Sequence, residues 1–177
     1  SALPPGPEQL FEDATRLYVR VEARHRAEEG SWKTMTAAEK ETMAHVIELL
    51  TNAANQGHNR AAFNLGFIFL TGSGTTQDFK KAVQWYQKAA DRGLADAQFN
   101  LGDMYLYGKG VAQDHKKAAQ WILKAADQGL ATAQEILGNM IFNGQGAAQD
   151  FNEAQQWFRK AADQGLASAQ FNLGHTY

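Results

Sequence analysis

From residue 57 onward the apolar positions form two alternating helical stripes that return every 36 residues. Between Leu94 and Gly129, Ala97, Leu101, Met104, Tyr105 and Gly108 share one face of a first helix. Ala118, Trp121, Ile122, Ala125 and Ala126 share one face of a second. Gly108 is placed to end the first helix in a left-handed conformation, Asp114 to accept free amides at the start of the second, and Gly129 to close it. Trp85, Trp121 and Trp157 keep the step, as do Asp78, Asp114 and Asp150, and so do the Ala-Ala pairs at Ala89, Ala125 and Ala161. The unit 94–129 matches the next at 21 of 36 positions, which marks duplication of one supersecondary unit that buries its apolar face against its neighbours. Gly102, in mid-helix where it costs about 1 kcal/mol relative to Ala, implies close approach of a neighbouring helix, expected under the bulk of a Trp.

Residues 1–56 follow a looser pattern. Leu10, Ala14, Leu17 and Val21, with Phe11 and Tyr18 beside them, predict a helix of about 20 residues, with Pro7 in its first turn and Gly30 at its exit. A connector with Trp32 leads to Thr36-Ala-Ala-Glu39, a capping-box pattern that starts a second helix ending near Asn55. Stepping back 36 places sets Leu50 under Tyr86, and Ala53 and Ala54 under the Ala-Ala pair. The segment is therefore expected to be a degenerate N-terminal helical cap, with the repeat array at 57–177: three units and the first helix of a fourth.

Composition narrows the function classes. A net charge of -2 over 177 residues gives no broad positive field, so nucleic acid is not expected as a partner. No apolar run approaches the roughly 20 residues that span a bilayer, so membrane insertion is not expected either. There is no cysteine, hence no disulfide or thiolate metal site, and the compartment stays open.

The pattern A-x-A-Q-F-N-L-G-x-M-Y-x-x-G-x-G-x-x-x-D-x-x-x-A-x-x-W-x-x-K-A-A-D-x-G, from Ala95 to Gly129, resembles the Sel-one-like repeat family, relatives of the tetratricopeptide repeats with a longer inter-helix loop. The resemblance covers residues 57–177. It implies an all-α fold, a right-handed superhelical solenoid in which first helices line a concave face and second helices a convex one. It also implies an adaptor that assembles protein complexes. Some members carry a cysteine pair in each repeat, absent here, and a few have been described as penicillin-binding. No S-x-x-K is present: Thr34, Thr76 and Phe171 follow Ser31, Ser73 and Ser168 at that spacing.

The sharper chemical readings give way to plainer ones. The phase of the tryptophans matches the Ala-Ala pairs, so core packing is expected. His25, His45, His58, His115 and His175 show no metal-ligand spacing and are expected at the surface. Gly72-Ser73-Gly74 and Gly108-Lys109-Gly110 follow helices and lack a G-K-[ST] ending, so they are tight loops. Lys80, Lys81, Lys116 and Lys117 are expected as solvated charges on the convex side. With no acid pair, activated nucleophile or metal cluster in register, neither catalysis nor a cofactor is expected.

The informative signal is variation within the frame. Position 67 steps through Phe67, Asp103, Asn139 and His175, position 71 through Thr71, Tyr107 and Asn143, and the Asn64, Asn100 and Asn172 series offers side-chain amides to a peptide backbone. Solvated drift explains such variation as well. The exposed aromatic surface expected at Phe67 and Tyr107 favours a concave groove that binds a protein or peptide. The alternative is a structural self-assembly segment. In the final helix, Ala169, Leu173 and Tyr177 form a stripe expected to be exposed and available for homo-oligomer contacts.

Overall fold

The computed structural model describes residues 3–27 and 32–174. Gly30, His175 and Tyr177 lie outside the described residues. All regular structure among them is helical: α1 (Pro7–Ala27), a 3-10 turn at Trp32–Thr34, α2 (Ala37–Asn55), α3 (Asn59–Thr71), α4 (Phe79–Asp91), α5 (Ala95–Tyr107), α6 (His115–Asp127), α7 (Ala131–Asn143), α8 (Phe151–Asp163) and α9 (Ala167–Gly174). Two compact units divide the chain, Ser1–Ala89 and Ala90–Tyr177.

In the first unit, α1 packs on α2 and α2 on α3. The α2 start is the expected capping box: Glu39 N donates to Thr36 Oγ1 at 3.2 Å, and Thr36 N donates to Glu39 Oε2 at 2.7 Å. Arg24 of α1 donates to Glu39 Oε1 at 2.8 Å, so one carboxylate closes a helix end and ties two helices together. The core joins Leu10, Ala14 and Val21 of α1 to Met43, Val46 and Leu50 of α2 and to Leu65 and Ile68 of α3. His25 departs from the surface placement expected for it. It is buried, tilted against Trp32 with ring centroids 4.9 Å apart, and its Nε2 stands 3.8 Å from Glu39 Oε2.

The second unit shows how the repeat is held. The first helices α5 and α7 end at glycines in left-handed conformation, Gly108 and Gly144. Past the loop, Gln113 Nε2 reaches back to Leu106 O at 2.8 Å, and Gln149 Nε2 to Phe142 O at 2.9 Å, satisfying last-turn carbonyls that would otherwise lack partners. Asp114 and Asp150 then accept from the Lys117 and Glu153 amides at 2.9 Å, the caps expected of them. A glutamine ladder closes the other end. Gln98 and Gln134 donate to Ala90 O and Ala126 O, and their side-chain oxygens accept from Gln128 and Gln164. Gly146, at φ 74°, is required twice over, because a Cβ there would meet the backbone of His115.

The close helix approach foreseen at Gly102 is present, but the partner is the residue after the tryptophan. A Cβ on Gly102 would stand 2.6 Å from Ile122, one on Gly138 2.7 Å from Phe158, and one on Gly66 of the first unit 2.5 Å from Tyr86. These three neighbours are the buried centres, whereas Trp85 and Trp121 are only half-buried and Trp157 is buried. Lys88, Lys124 and Lys160 lie over the three indoles at 4.4, 4.0 and 3.8 Å. At 100° per residue the core line falls between the two aromatic or aliphatic positions, and the wider indole becomes the shoulder.

The stripe expected to be bare on α9 is partly covered. Ala169 is fully buried, and Leu173 packs on the cluster that includes Trp157 and Phe158. Among the described residues of α9, the large apolar side chain left in solvent is Phe171, 66% exposed.

Candidate functional site

The residues predicted to bind a partner sit on first helices. In the first unit, Asn64, Phe67 and Thr71 line one side of α3. Phe67 is 44% exposed and Asn64 half-buried. Thr71 Oγ1 donates to Phe67 O at 2.8 Å and lies 2.7 Å from Ser73 Oγ, so it also serves the helix end.

Beside them the fold brings up residues that periodicity did not single out. Thr15, Tyr18 and Glu22 of α1 face Asn64 and Phe67 across a cavity of about 150 Å³, floored by Ala14, Leu50 and Ile68. The spacing of Thr15, Tyr18 and Glu22 on one side of α1 was visible in the sequence. Their opposition to α3 was not.

In the second unit, Asn100, Asp103 and Tyr107 run along α5, Asn139 and Asn143 along α7, and Asn172 stands on α9. Tyr107 is 59% exposed. Lys109 joins this set, 3.5 Å from Asp103 Oδ2 and 5.1 Å from the Tyr107 ring centre. Asn143 Nδ2 donates to Asn139 O at 2.8 Å. Glu135 accepts from Ser168 at 3.0 Å and from Asn172 at 3.2 Å, which sets α7 and α9 side by side on this face and engages the Asn172 amide. Glu135 had a signal in the sequence: it replaces the phenylalanine found at Phe63, Phe99 and Phe171 in the same register.

The second helices carry different surfaces. Lys80, Lys81, Lys116 and Lys117 are exposed, with Lys117 Nζ 3.9 Å from Asp114. An open depression of about 350 Å³ lies over Leu137 and Ile141, edged by Lys116, Gln120 and Leu123. Among the described residues no group of three or more His, Asp or Glu side chains is arranged to hold a metal ion, and no helix is long and apolar enough to cross a membrane. Away from this face, the Glu39 carboxyl is held below the ordinary carboxylate range. Hydrogen bonds from Thr36, backbone first, and the nearby Arg24 and His25 charges hold it low.

Consecutive helix pairs in one repeated frame, each sealed by the same glycine, glutamine and aspartate devices, define an all-α repeat solenoid. The chain belongs to the Sel1 repeat family, whose model matches residues 59–94, 95–130, 131–166 and 167–177. Among solved structures it is similar to a Sel1 repeat protein from Oxalobacter formigenes, at 37% identity over 71% of this chain and 95% of that one, with a TM-score of 0.67. It is also similar to c5321, a protective antigen present in uropathogenic Escherichia coli strains displaying an SLR fold. The identity is 34% and the TM-score 0.75, over 98% of this chain but 36% of that one. Cysteine rich protein B of Helicobacter pylori is 29% identical over 72% of this chain and 97% of that one, with a TM-score of 0.57. No curated protein matches the chain. The fold of this family is generally a protein–protein interaction scaffold, and its members are typically non-enzymatic.

Proposed function

We propose that this chain is a non-enzymatic scaffold that binds a protein segment or peptide through exposed side chains of its first helices, with no role for nucleic acid, cofactor or metal. The observation that carries the reading is the exposure of Phe67 and Tyr107, 44% and 59%, on helices packed closely enough elsewhere, at Gly66 and Gly102, to require glycine. Exposed aromatics amid polar neighbours are the composition of an interaction surface. Asn64, Asn100 and Asn172 hold a partner's backbone amides in this reading, while Phe67, Asp103, Tyr107, Asn139, Asn143 and His175 select its side chains. The pairs already made by Asp103 and Asn172 are at or near the surface, where exchanging one polar partner for another costs little.

The test is quantitative mass spectrometry of proteins retained by the parent chain, by the Phe67→Ala, Tyr107→Ala double variant and by a Lys116→Ala, Lys117→Ala control. A partner lost from the double variant and kept by the control is expected. Equal retention by all three overturns the assignment. Self-assembly is the second reading, favoured by Phe171 at 66% exposure on α9. It requires sedimentation to shift with concentration and the shift to vanish in Phe171→Glu.

A further inference from the structure

At the register where the other units carry Leu94, Leu130 and Leu166, the first unit carries His58. Leu94 and Leu130 offer no side-chain acceptor to the helices they precede, whereas His58 Nδ1 accepts from Ala61 N at 3.1 Å and caps α3. The same ring lies against α1. Its Nε2 stands 3.1 Å from Glu8 Oε2, and its face stacks on Phe11 with ring centroids 4.2 Å apart and planes 23° from parallel. We propose that His58 is a proton-sensitive latch: the neutral ring holds the first turns of α1 on the start of α3, and protonation uncaps α3 and loosens that contact. The device is a property of the chain alone and does not depend on any partner.

The geometry fixes one tautomer. A ring nitrogen that accepts carries no hydrogen, and an ionised carboxylate only accepts, so Nδ1 is bare and Nε2 holds the proton. Protonation puts a hydrogen on Nδ1 facing the Ala61 N–H, donor against donor, and sets a cation at a helix N-terminus, where positive charge is disfavoured. Ala61 is fully buried, so the amide left without its acceptor is costly. The His58 side chain is itself only 14% exposed, so an imidazolium gains little hydration where it stands. Glu8 favours the charged ring, but its side chain is 74% exposed and its attraction is screened by water. Of the other charged groups, Glu12 lies exposed one turn further along α1, Asp13 pairs with Arg16 at 3.6 Å, and Arg60 in the first turn of α3 adds a second cation. The closing turn of α2, residues 51–55, carries no ionisable side chain. Capping therefore requires the neutral ring, and the stability it supplies is lost as pH falls and the ring takes up a proton.

The test follows the intact, nitrogen-15-labelled chain by NMR as pH is lowered, reading imidazole nitrogen shifts and amide hydrogen exchange corrected for intrinsic rate. His58 is expected as the Nε2–H tautomer when neutral. Protection at Ala61 is expected to fall about fivefold or more, the scale of one lost cap, in step with the ring's own titration. Exchange at Leu10 and Phe11 is expected to quicken in the same step. His58→Asn keeps a capping acceptor that takes up no proton, and is expected to hold Ala61 protected throughout. Glu39→Gln is expected to leave the step in place, which separates it from the carboxylate network of α2. An Nδ1–H tautomer, or Ala61 protection that passes through the titration unchanged, overturns the latch. So does a step that survives in His58→Asn, or one confined to Ala61 with Leu10 and Phe11 unaffected. If His58→Asn does not fold, the tautomer and the paired titration in the parent decide alone.

Discussion

The helix pairs α1–α2 and α7–α8 reach the same close contact by opposite means. In α7–α8 the approach is steric: Gly138 removes a side chain so that Phe158 can lie against the backbone, and Gln149 and Asp150 satisfy the two helix ends across the loop. In α1–α2 it is polar and aromatic: Arg24 and the Thr36 cap converge on Glu39, while Trp32 stacks against Tyr18 at 5.9 Å and tilts against His25. The first solution depends on shape and on local end-capping hydrogen bonds, and it can be copied from unit to unit. The second is built from a single charge network, which is sensitive to pH and does not recur. A repeated pair is also packed on both sides, α7 against α6 and α8 against α9. The terminal pair leaves one side of α1 open, and that side holds the cavity against α3.

The largest test of this contrast is Phe158→Ala. A cavity at a buried ring costs about 3–5 kcal/mol, so the melting temperature of the second unit is expected to collapse, while Lys116→Ala stays within about 0.5 kcal/mol of the parent. Equal melting curves for the two would show that the buried centre has been placed on the wrong residue.

Gly138→Ala is next. In an exposed helix the change would stabilise by about 1 kcal/mol, but here the added methyl meets the Phe158 ring at 2.7 Å and Ala154 O at 3.3 Å. A net loss of about 1–3 kcal/mol by denaturant titration is expected, partly restored when Phe158→Leu is added. A stabilised Gly138→Ala would remove the steric account of the repeated pair.

The smallest effect separates the pairs by pH. Glu39 titrates below its ordinary range in the folded chain because Thr36 and Arg24 favour its ionised form. The stability this supplies is therefore complete above the unfolded value of roughly 4.3 and is lost as pH falls through the lower folded value. Hydrogen exchange in α1 and α2 should accelerate below that range before exchange in α7 and α8, and Glu39→Gln should flatten the difference. The same acid profile in both pairs would mean that Glu39 does not hold α1 on α2.

Most of the helical framework was legible in the sequence, because the 36-residue step repeats the signals that begin and end helices. Asp114 and Asp150 cap where the pattern put them, and Gly108 and Gly144 turn left-handed there. The capping box at Thr36 was equally local. Errors arose where a one-residue shift in phase decides burial. Trp121 was expected in the core and lies at its shoulder, since Ile122 points more directly at Gly102. His25 was expected in solvent because a lone histidine carries no periodic signal, and Trp32 and Glu39 enclose it.

The sequence by itself determined the local structure: helix ends, which depend on hydrogen bonds between residues a few places apart, and the repeat, which depends on a pattern copied along the chain. Which side chains stand opposite one another was decided by tertiary structure alone. Glu135 holds Ser168 and Asn172 across more than 30 positions, and Tyr18 faces Phe67 across a socket whose two walls share no register. Such pairings follow from how helices settle against each other, where packing of the whole surface fixes rotation and offset, and no local spacing along the chain encodes that.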